Sequence, residues 1–396
     1  MINRRQLLQS QDSNYIRYMA SKLSRKLKYL VKRYILSKPL PRGYIPLSID
    51  NADTYFGDDK DIKIYKFVHD EGTHGQEAKF LEGDFLKVWT NFKSEFESVV
   101  IDTTKQGFIF WRGFTIDPNL NVIYEKNLEL NEIPIYLREL VNCQKLEGTV
   151  AYLSNGVPQN YGHWLLYAIP QLDIYWKFIN KQEIDYYYIG DSIANFQKET
   201  LLALGIKEEQ IVHYPCQADR LITCVINRKV QKESHTYPSI FAYRFSRNIF
   251  LPKENYSNSK YPKRLYVKRG KVNHREVIND NEVIEYLESI GFEALEMQGR
   301  TMQEQAEIFY NADVIISVTG SGLTNLLFIR ESTTVIEIVP FSFRDGFFYA
   351  LGSYSQANYF YMLGEKVPGD TTKPQRSNIK VNINKLKQIC KLANLV

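Results

Sequence analysis

Cysteine is scarce in this chain. The four, Cys143, Cys216, Cys224 and Cys390, include no CxxC pair, and no histidine stands at a zinc-finger offset from them. This excludes a disulfide-stapled scaffold and a zinc finger, and reads as reduced, structural thiols. Long hydrophobic runs are missing as well: no stretch reaches the roughly 18 apolar residues of a membrane span. Met1 to Gln11 is polar and lacks the apolar h-region of a signal peptide, so a cytoplasmic chain is expected. Acid is almost absent from residues 1–42, where eleven Lys and Arg face the single Asp12. With 21 Gly and 14 Pro in 396 residues, collagen-like and low-complexity classes are excluded.

What is present is an ordinary globular mix, 44% hydrophobic and 24% charged, with room for two or three domains. The 28 Tyr and 22 Phe suit core packing and sugar-stacking surfaces equally. The net charge of +5 is concentrated in the arm, which leaves the body mildly acidic. No reading motif accompanies the arm's charge, so no nucleic-acid partner is expected.

Within the arm, Ile16, Met19, Leu23, Leu27, Leu30 and Tyr34 recur at helical steps beside a polybasic face. Two readings stand: residues 1–38 lie on an anionic inner-membrane surface, or the helix packs on its own domain with its charges solvated. Pro39, Pro41, Gly43 and Pro46 end it.

From 43 to about 145 the pattern is strand-like, as in Ile62–Val68 and Phe108–Trp111. Beyond it, strands at Thr149–Leu153, Tyr186–Gly190, Ile211–Tyr214 and Leu221–Ile226 alternate with helices. One helix is expected over His163–Ile179, interrupted by Pro170, and another over Phe196–Leu204. A polar stretch at 251–263 places a boundary near 235–262. A second α/β unit follows, with strands at Arg264–Val267, Glu293–Met297, Val314–Val318 and Thr334–Val339. Its helices run over Asp280–Ile290 and from a Thr301/Glu304 capping box to Asn311, and another starts near Leu323. The expected division is a basic arm at 1–42, an N-terminal α/β domain at 43–250, a C-terminal Rossmann-like domain at 251–380 and a closing helix at 381–396.

Thr319-Gly320-Ser321-Gly322-Leu323-Thr324-Asn325 leaves a buried strand, and its glycines let backbone N–H groups approach a phosphate. Asn325 stands where a dinucleotide fingerprint needs its third glycine, and the Gly-Lys-Ser/Thr of a P-loop is missing. Both points argue against nicotinamide cofactors and ATPases.

A wider ordered set carries more. It runs from Asn160-Tyr161-Gly162-His163-Trp164-Leu165 through Tyr266-Val267-Lys268-Arg269, Arg275, Asn279-Asp280 and Gly291-Phe292. It continues with Glu304-Gln305, Ala312-Asp313, the glycine loop, Leu327-Phe328 and Val335-Ile336-Glu337. Over about 150–365 the chain resembles glycosyltransferase family 61, in its bacterial capsule and surface-polysaccharide branch. One departure is Thr319, where many members have His before the Gly-Ser-Gly. The resemblance implies a GT-B-like inverting enzyme of two Rossmann-type doubly wound domains facing a cleft. It further implies a UDP-linked nucleotide-sugar donor and no catalytic metal. The acceptor would be a growing surface polysaccharide or lipid-linked glycan, met on the inner face of the plasma membrane. The sequence sets no oligomeric state. The Thr319 departure keeps a second reading open, a catalytically inactive glycan-binding scaffold; a nicotinamide-dependent oxidoreductase shares only the α/β layering.

Inverting transfer needs a base for the acceptor hydroxyl, and His163, with an ordinary imidazole pKa of about 6.5, suits that role; the alternative is a hydrogen bond to backbone or phosphate. Tyr161 and Trp164 are expected on the acceptor side. Arg269, ending the first strand of the second unit, is expected to clamp a diphosphate. Arg275 joins it or pairs with an acid, and Thr319, Gly320, Ser321 and Gly322 supply backbone donors. Asn325 contacts phosphate or caps the turn. Glu337 accepts ribose hydroxyls, or serves as a cap or ion-pair partner. Asp59-Lys60-Asp61 satisfies DxD but sits in a charged turn and is read as solvated; Asp173 orients the site or is simply solvated, and Glu199, Glu208 and Glu209 read as ordinary helix-surface acids.

Overall fold

The computed structural model describes residues 44–75, 77–81, 92–110, 114–125, 143–153, 159–190, 192–227, 237–251, 260–270, 275–341, 343, 345–368, 373 and 376–396. The basic arm, the turn at 155–158 and most of the polar stretch at 251–263 lie outside the described residues. It is a mixed α/β architecture built on two sheets.

The first half contributes strands β1 (Tyr44–Leu47), β2 (Ile62–His74), β3 (Lys79–Phe80), β4 (Phe92–Thr103), β5 (Gly107–Phe110), β6 (Phe114–Ile116) and β7 (Val122–Glu125). Strands β8 (Gln144–Tyr152), β9 (Tyr186–Tyr188), β10 (Ile211–Val212) and β11 (Cys216–Asn227) follow. All but β3 form one sheet in the order β1-β7-β6-β5-β11-β8-β9-β10, with β4 joining β11 to β2. From β11 to β10 the pairing is parallel, as alternating strands and helices require. On the other side of β11 the pairs with β5 and β4 are antiparallel, as are β2–β4, β5–β6 and β6–β7. The N-terminal unit is therefore a mixed sheet. The expected second doubly wound domain is corrected by the antiparallel pairs within 44–125: β5, β6 and β7 follow one another too closely in the chain for crossover helices, and β2 pairs antiparallel with β4.

The second sheet has the order β13 (Glu293–Leu295), β12 (Arg264–Val267), β14 (Val314–Val318), β15 (Thr334–Val339), β16 (Asn358–Leu363), and then β3, all parallel. Its edge strand β3 thus comes from far upstream in the chain. Ile315, Val335 and Val339 join one core cluster, and Ile316, Ile336 and Ile338 the other. Both faces are covered, which is why these strands read as nearly continuous β-branched runs.

The helices are α1 (Ala52–Phe56), α2 (Tyr161–His163), α3 (Gln171–Phe178), α4 (Asn195–Ala203), α5 (Ile240–Phe250), α6 (Asp280–Ser289), α7 (Met302–Asn311), α8 (Phe347–Tyr354) and α9 (Ile383–Leu392). Val283 and Leu287 of α6 and Leu386 and Ile389 of α9 cover one face of the second sheet. Met302, Ala306 and Phe309 of α7 belong to the cluster on the other face. That cluster continues through Trp164, Leu172 and Phe241 to Ala151 and Ile222 of the first sheet, so one core joins the two sheets. Helix α5, capped by Ser239, occupies the stretch read as a boundary, and its Ser246 and Arg247 donate to the carbonyls of Leu165 and Leu327.

The helix expected over His163–Ile179 is split. α2 passes into a π-turn at Trp164–Ala168, closed by the Ile169 N–H to the Trp164 carbonyl at 2.9 Å, and α3 restarts after Pro170. The wider turn accommodates a proline that has no N–H to give an α-turn. Among the described residues no helix is long and apolar enough to cross a membrane.

Candidate active site

The chain runs from β12 to β13 on one side, then crosses to β14 on the other. Strand order within the sheet is thus 2-1-3-4-5, with the switch point between β12 and β14, where open α/β sheets receive ligands. The carboxyl ends there deliver Lys268, Arg269 and Gly270 from β12 and Gly320, Ser321 and Gly322 from β14, while Met297–Thr301 leads from β13 to α7. These segments line a cleft of about 410 Å³, closed from the helical layer by Tyr161, Asn195, Phe196 and Glu199.

Arg269 and Arg275 both donate to one acceptor. The Thr319 carbonyl receives Nη1 of Arg269 at 3.0 Å and Nη1 of Arg275 at 3.3 Å. A Cβ on Gly320 would stand 2.1 Å from Nη1 of Arg269, so a side chain at 320 would displace the guanidinium from this position. Burial, then the neighbouring Arg275, pulls the Arg269 guanidinium down to about 10. Burial also lowers Arg275, against the opposing pull of Glu337 and Asp345. Two crowded, partly desolvated cations are the arrangement that a diphosphate would relieve. Arg275 holds a left-handed φ of 53°, with its N–H on the Arg376 carbonyl at 3.1 Å, a strained position retained beside the loop.

Beneath the loop lies Glu337. It is fully buried in the interior of β15, with Oε1 accepting from the Thr319 hydroxyl at 2.6 Å and Oε2 from the Tyr359 hydroxyl at 2.8 Å. The expectation that it meets ribose hydroxyls is corrected: two strand residues follow it, and both its oxygens are engaged in the core. Thr319 is likewise buried, its hydroxyl turned to Glu337 and only its carbonyl to the arginines. The side chain at 319 is therefore a buried support of the loop and not part of the cleft wall.

Burial raises the Glu337 carboxyl from 4.5 to about 7. Between those values the folded protein holds a proton that the unfolded chain has released. Stability from this group is complete below pH 4.5 and is lost as pH rises to about 7, by about 3 kcal/mol in all. Glu337→Gln keeps an acceptor for Thr319 and is expected to flatten that decline. Urea midpoints from pH 4.5 to 7.5 test this; parallel decline in wild type and variant would refute it.

The glycine loop opens a 3₁₀ helix at Ser321–Phe328, where a helix was expected from near Leu323. Asn325 Nδ2 takes the Gly322 carbonyl at 3.1 Å, an acceptor that an α-turn would offer to the Leu326 N–H. Asn325 also donates to Gln305 at 2.9 Å and accepts the Tyr161 hydroxyl at 2.6 Å. It is fully buried, and the contact with Gly322 is the turn-capping one of its two readings. Tyr161 keeps a ring edge on the cleft, with its phenol raised by burial. Trp164, expected to face the acceptor, is fully buried, with its indole N–H on Thr200 Oγ1 at 2.7 Å. A ring of that size fills the core between the sheets once its one polar atom is satisfied.

His163 does not line the cleft. It stands two residues past Tyr161, about 200° round the turn, with its ring 5.5 Å from that of Tyr167. Tyr167 in turn lies 6.3 Å from Phe347, whose N–H binds Asp345, and Arg275 packs 5.9 Å from the Phe343 ring. Arg269, Tyr161 and Glu199 thus line the cleft, while Arg275, Phe343 and the His163–Tyr167 pair are outside its lining.

Glu199 is the residue that sequence reasoning missed. Its Oε2 accepts the Met302 N–H at the start of α7 at 2.6 Å, across 103 residues. Nothing local marks it, because the contact that turns it inward belongs to another element. The Thr301/Glu304 capping box forms as expected and shapes the same corner. Asp59 and Asp61 are engaged by Asn119 and Lys105 in the exposed turn. Among the described residues no group of three His, Cys, Asp or Glu is placed to hold a metal ion.

Comparison with known proteins places this segment. The family model described as Glycosyltransferase 61 matches residues 161–336, which span α2 and the residues that line the cleft. A β-1,2-xylosyltransferase of Oryza sativa subsp. japonica is 30% identical over 109 residues, 27% of this chain and 23% of the rice protein. Two α-1,3-arabinosyltransferases of the same plant are 28% identical over 123 residues and 31% over 107, or 29% and 26% of this chain. The chain spans about a fifth of the length of these curated relatives.

Proposed function

We propose that this protein is an inverting glycosyltransferase that moves a sugar from a nucleotide-sugar, UDP-linked, to a glycan acceptor. The observation that carries the reading is the pair Arg269 and Arg275 converging on the Thr319 carbonyl beside Gly320, at the switch point of a parallel sheet. The Glycosyltransferase 61 match and the glycosyltransferase names of the rice proteins support it.

In this reading the diphosphate lies over the Gly320-Ser321-Gly322 amides, with the arginines bearing the charge that grows on the leaving group. The nucleoside lies in the cleft towards Phe196 and Met297. The transferred sugar and the acceptor lie on the His163 side of the loop, where His163 takes the acceptor proton as the hydroxyl attacks C1 and the nucleoside diphosphate leaves. Because guanidinium and amide donors do this work, transfer is expected to need no divalent metal. The acceptor is proposed to be a surface polysaccharide or lipid-linked glycan at the inner face of the plasma membrane, met through the basic arm.

The test is release of the nucleotide from a panel of UDP-, GDP-, CMP- and dTDP-sugars, a diphosphate from all but the CMP-sugars, with and without EDTA. Release from one donor, stimulated by acceptor and unchanged in EDTA, is the expected result. Binding without release under every acceptor would favour the inactive scaffold. Loss in EDTA, restored by manganese, would contradict metal-free transfer.

A further inference from the structure

The cleft is lined by Lys268, Arg269 and Arg300, and among its described lining residues Glu199 is the sole carboxylate. One anion in a basic cleft is a specific element of recognition, since it repels the phosphates that its neighbours attract. An ionised carboxylate only accepts hydrogen bonds, so whatever part of a ligand reaches it must donate. Glu199 is also held in place: α4 presents it, and the Met302 N–H fixes Oε2 at 2.6 Å. The positive end of α7 suits a negative charge there. A carboxylate offers about four lone-pair sites, and this contact uses one. Glu337, a carboxylate on the neighbouring strand β15, is buried with both oxygens engaged in the core.

From this geometry we infer that Glu199 is a specificity residue that receives a vicinal diol of the donor. This inference rests on the nucleotide-sugar reading above. The diol is that of the ribose or of the transferred pyranose; both have adjacent hydroxyls spaced to meet the two oxygens of one carboxylate. Phe196 and Met297 beside Glu199 supply the apolar wall for the rest of the bound group.

The experiment is calorimetric titration of wild type and Glu199→Gln with UDP, GDP and CDP, their 2′-deoxy counterparts, the matching nucleotide-sugars and inorganic pyrophosphate. Glutamine keeps an oxygen for the Met302 N–H but removes the charge. Hydrogen bonds to a charged group are worth more than neutral ones, so the variant is expected to bind its preferred ligand about tenfold more weakly. Pyrophosphate, which has no diol, should bind both proteins equally, and this also reports that the phosphate site is intact. A tenfold loss for the nucleoside diphosphate, absent for its 2′-deoxy form, assigns the ribose. A loss confined to the nucleotide-sugar assigns the pyranose. Equal binding of every ligand by both proteins would overturn the inference, as would an equal loss that includes pyrophosphate. Failure of wild type to bind any nucleoside diphosphate or nucleotide-sugar would instead overturn the donor reading, and this inference with it.

Discussion

Arg269→Ala is expected to lower nucleoside diphosphate binding and kcat/KM for transfer by about 10²–10³-fold, while the chain still folds. The loss of one preorganised donor to a developing anion costs about 2.7–4 kcal/mol of transition-state stabilisation. Folding is spared because the Thr319 carbonyl keeps Arg275 at 3.3 Å, so no buried acceptor is orphaned. Arg269→Lys should recover little, since an ammonium cannot hold the Thr319 carbonyl and a phosphate with the same planar fork. Steady-state kinetics with calorimetry of the nucleoside diphosphate check this. Unchanged kinetics in the alanine variant would remove Arg269 from the site.

His163→Asn should reduce transfer by about 10²–10⁴-fold, the contribution of a positioned general base, with nucleoside diphosphate affinity unchanged. The separation follows from the absence of His163 from the cleft lining. His163 lies with Tyr167 away from the cleft, so its loss touches neither Arg269 nor the amides of Gly320 and Ser321. Asparagine keeps a polar group but takes no proton at neutral pH. A variant that transfers sugar at near wild-type rate would place the base elsewhere. A variant that binds nucleotide poorly would return His163 to a phosphate-contacting role.

Much of the second sheet was legible because both its faces are covered. Strands such as Val314–Val318 must then be apolar throughout, and the Thr301/Glu304 box marks the start of α7 in four residues. Arg269 and Gly320 were legible for a related reason: a strand exit and a glycine loop are local patterns, and the parallel fold brings successive exits together. The antiparallel half was harder, because pairings such as Ile62 with Thr103 and Ile222 with Asp102 depend on distant partners that no local period reveals. The roles of Glu337, Trp164 and Glu199 were misplaced for one common reason. Sequence gives chemical type and position along an element but not the direction of the side chain. Direction was decided by Tyr359, Thr200 and Met302, each on another element.

The central claim is that the switch-point cleft holds the diphosphate of a nucleotide donor. Hydrogen–deuterium exchange of the full chain, with and without a saturating nucleoside diphosphate, tests it most directly. Slowed exchange concentrated in residues 297–301 and 319–325, and abolished by Arg269→Ala, is the predicted result. Protection elsewhere with those segments unchanged would contradict it.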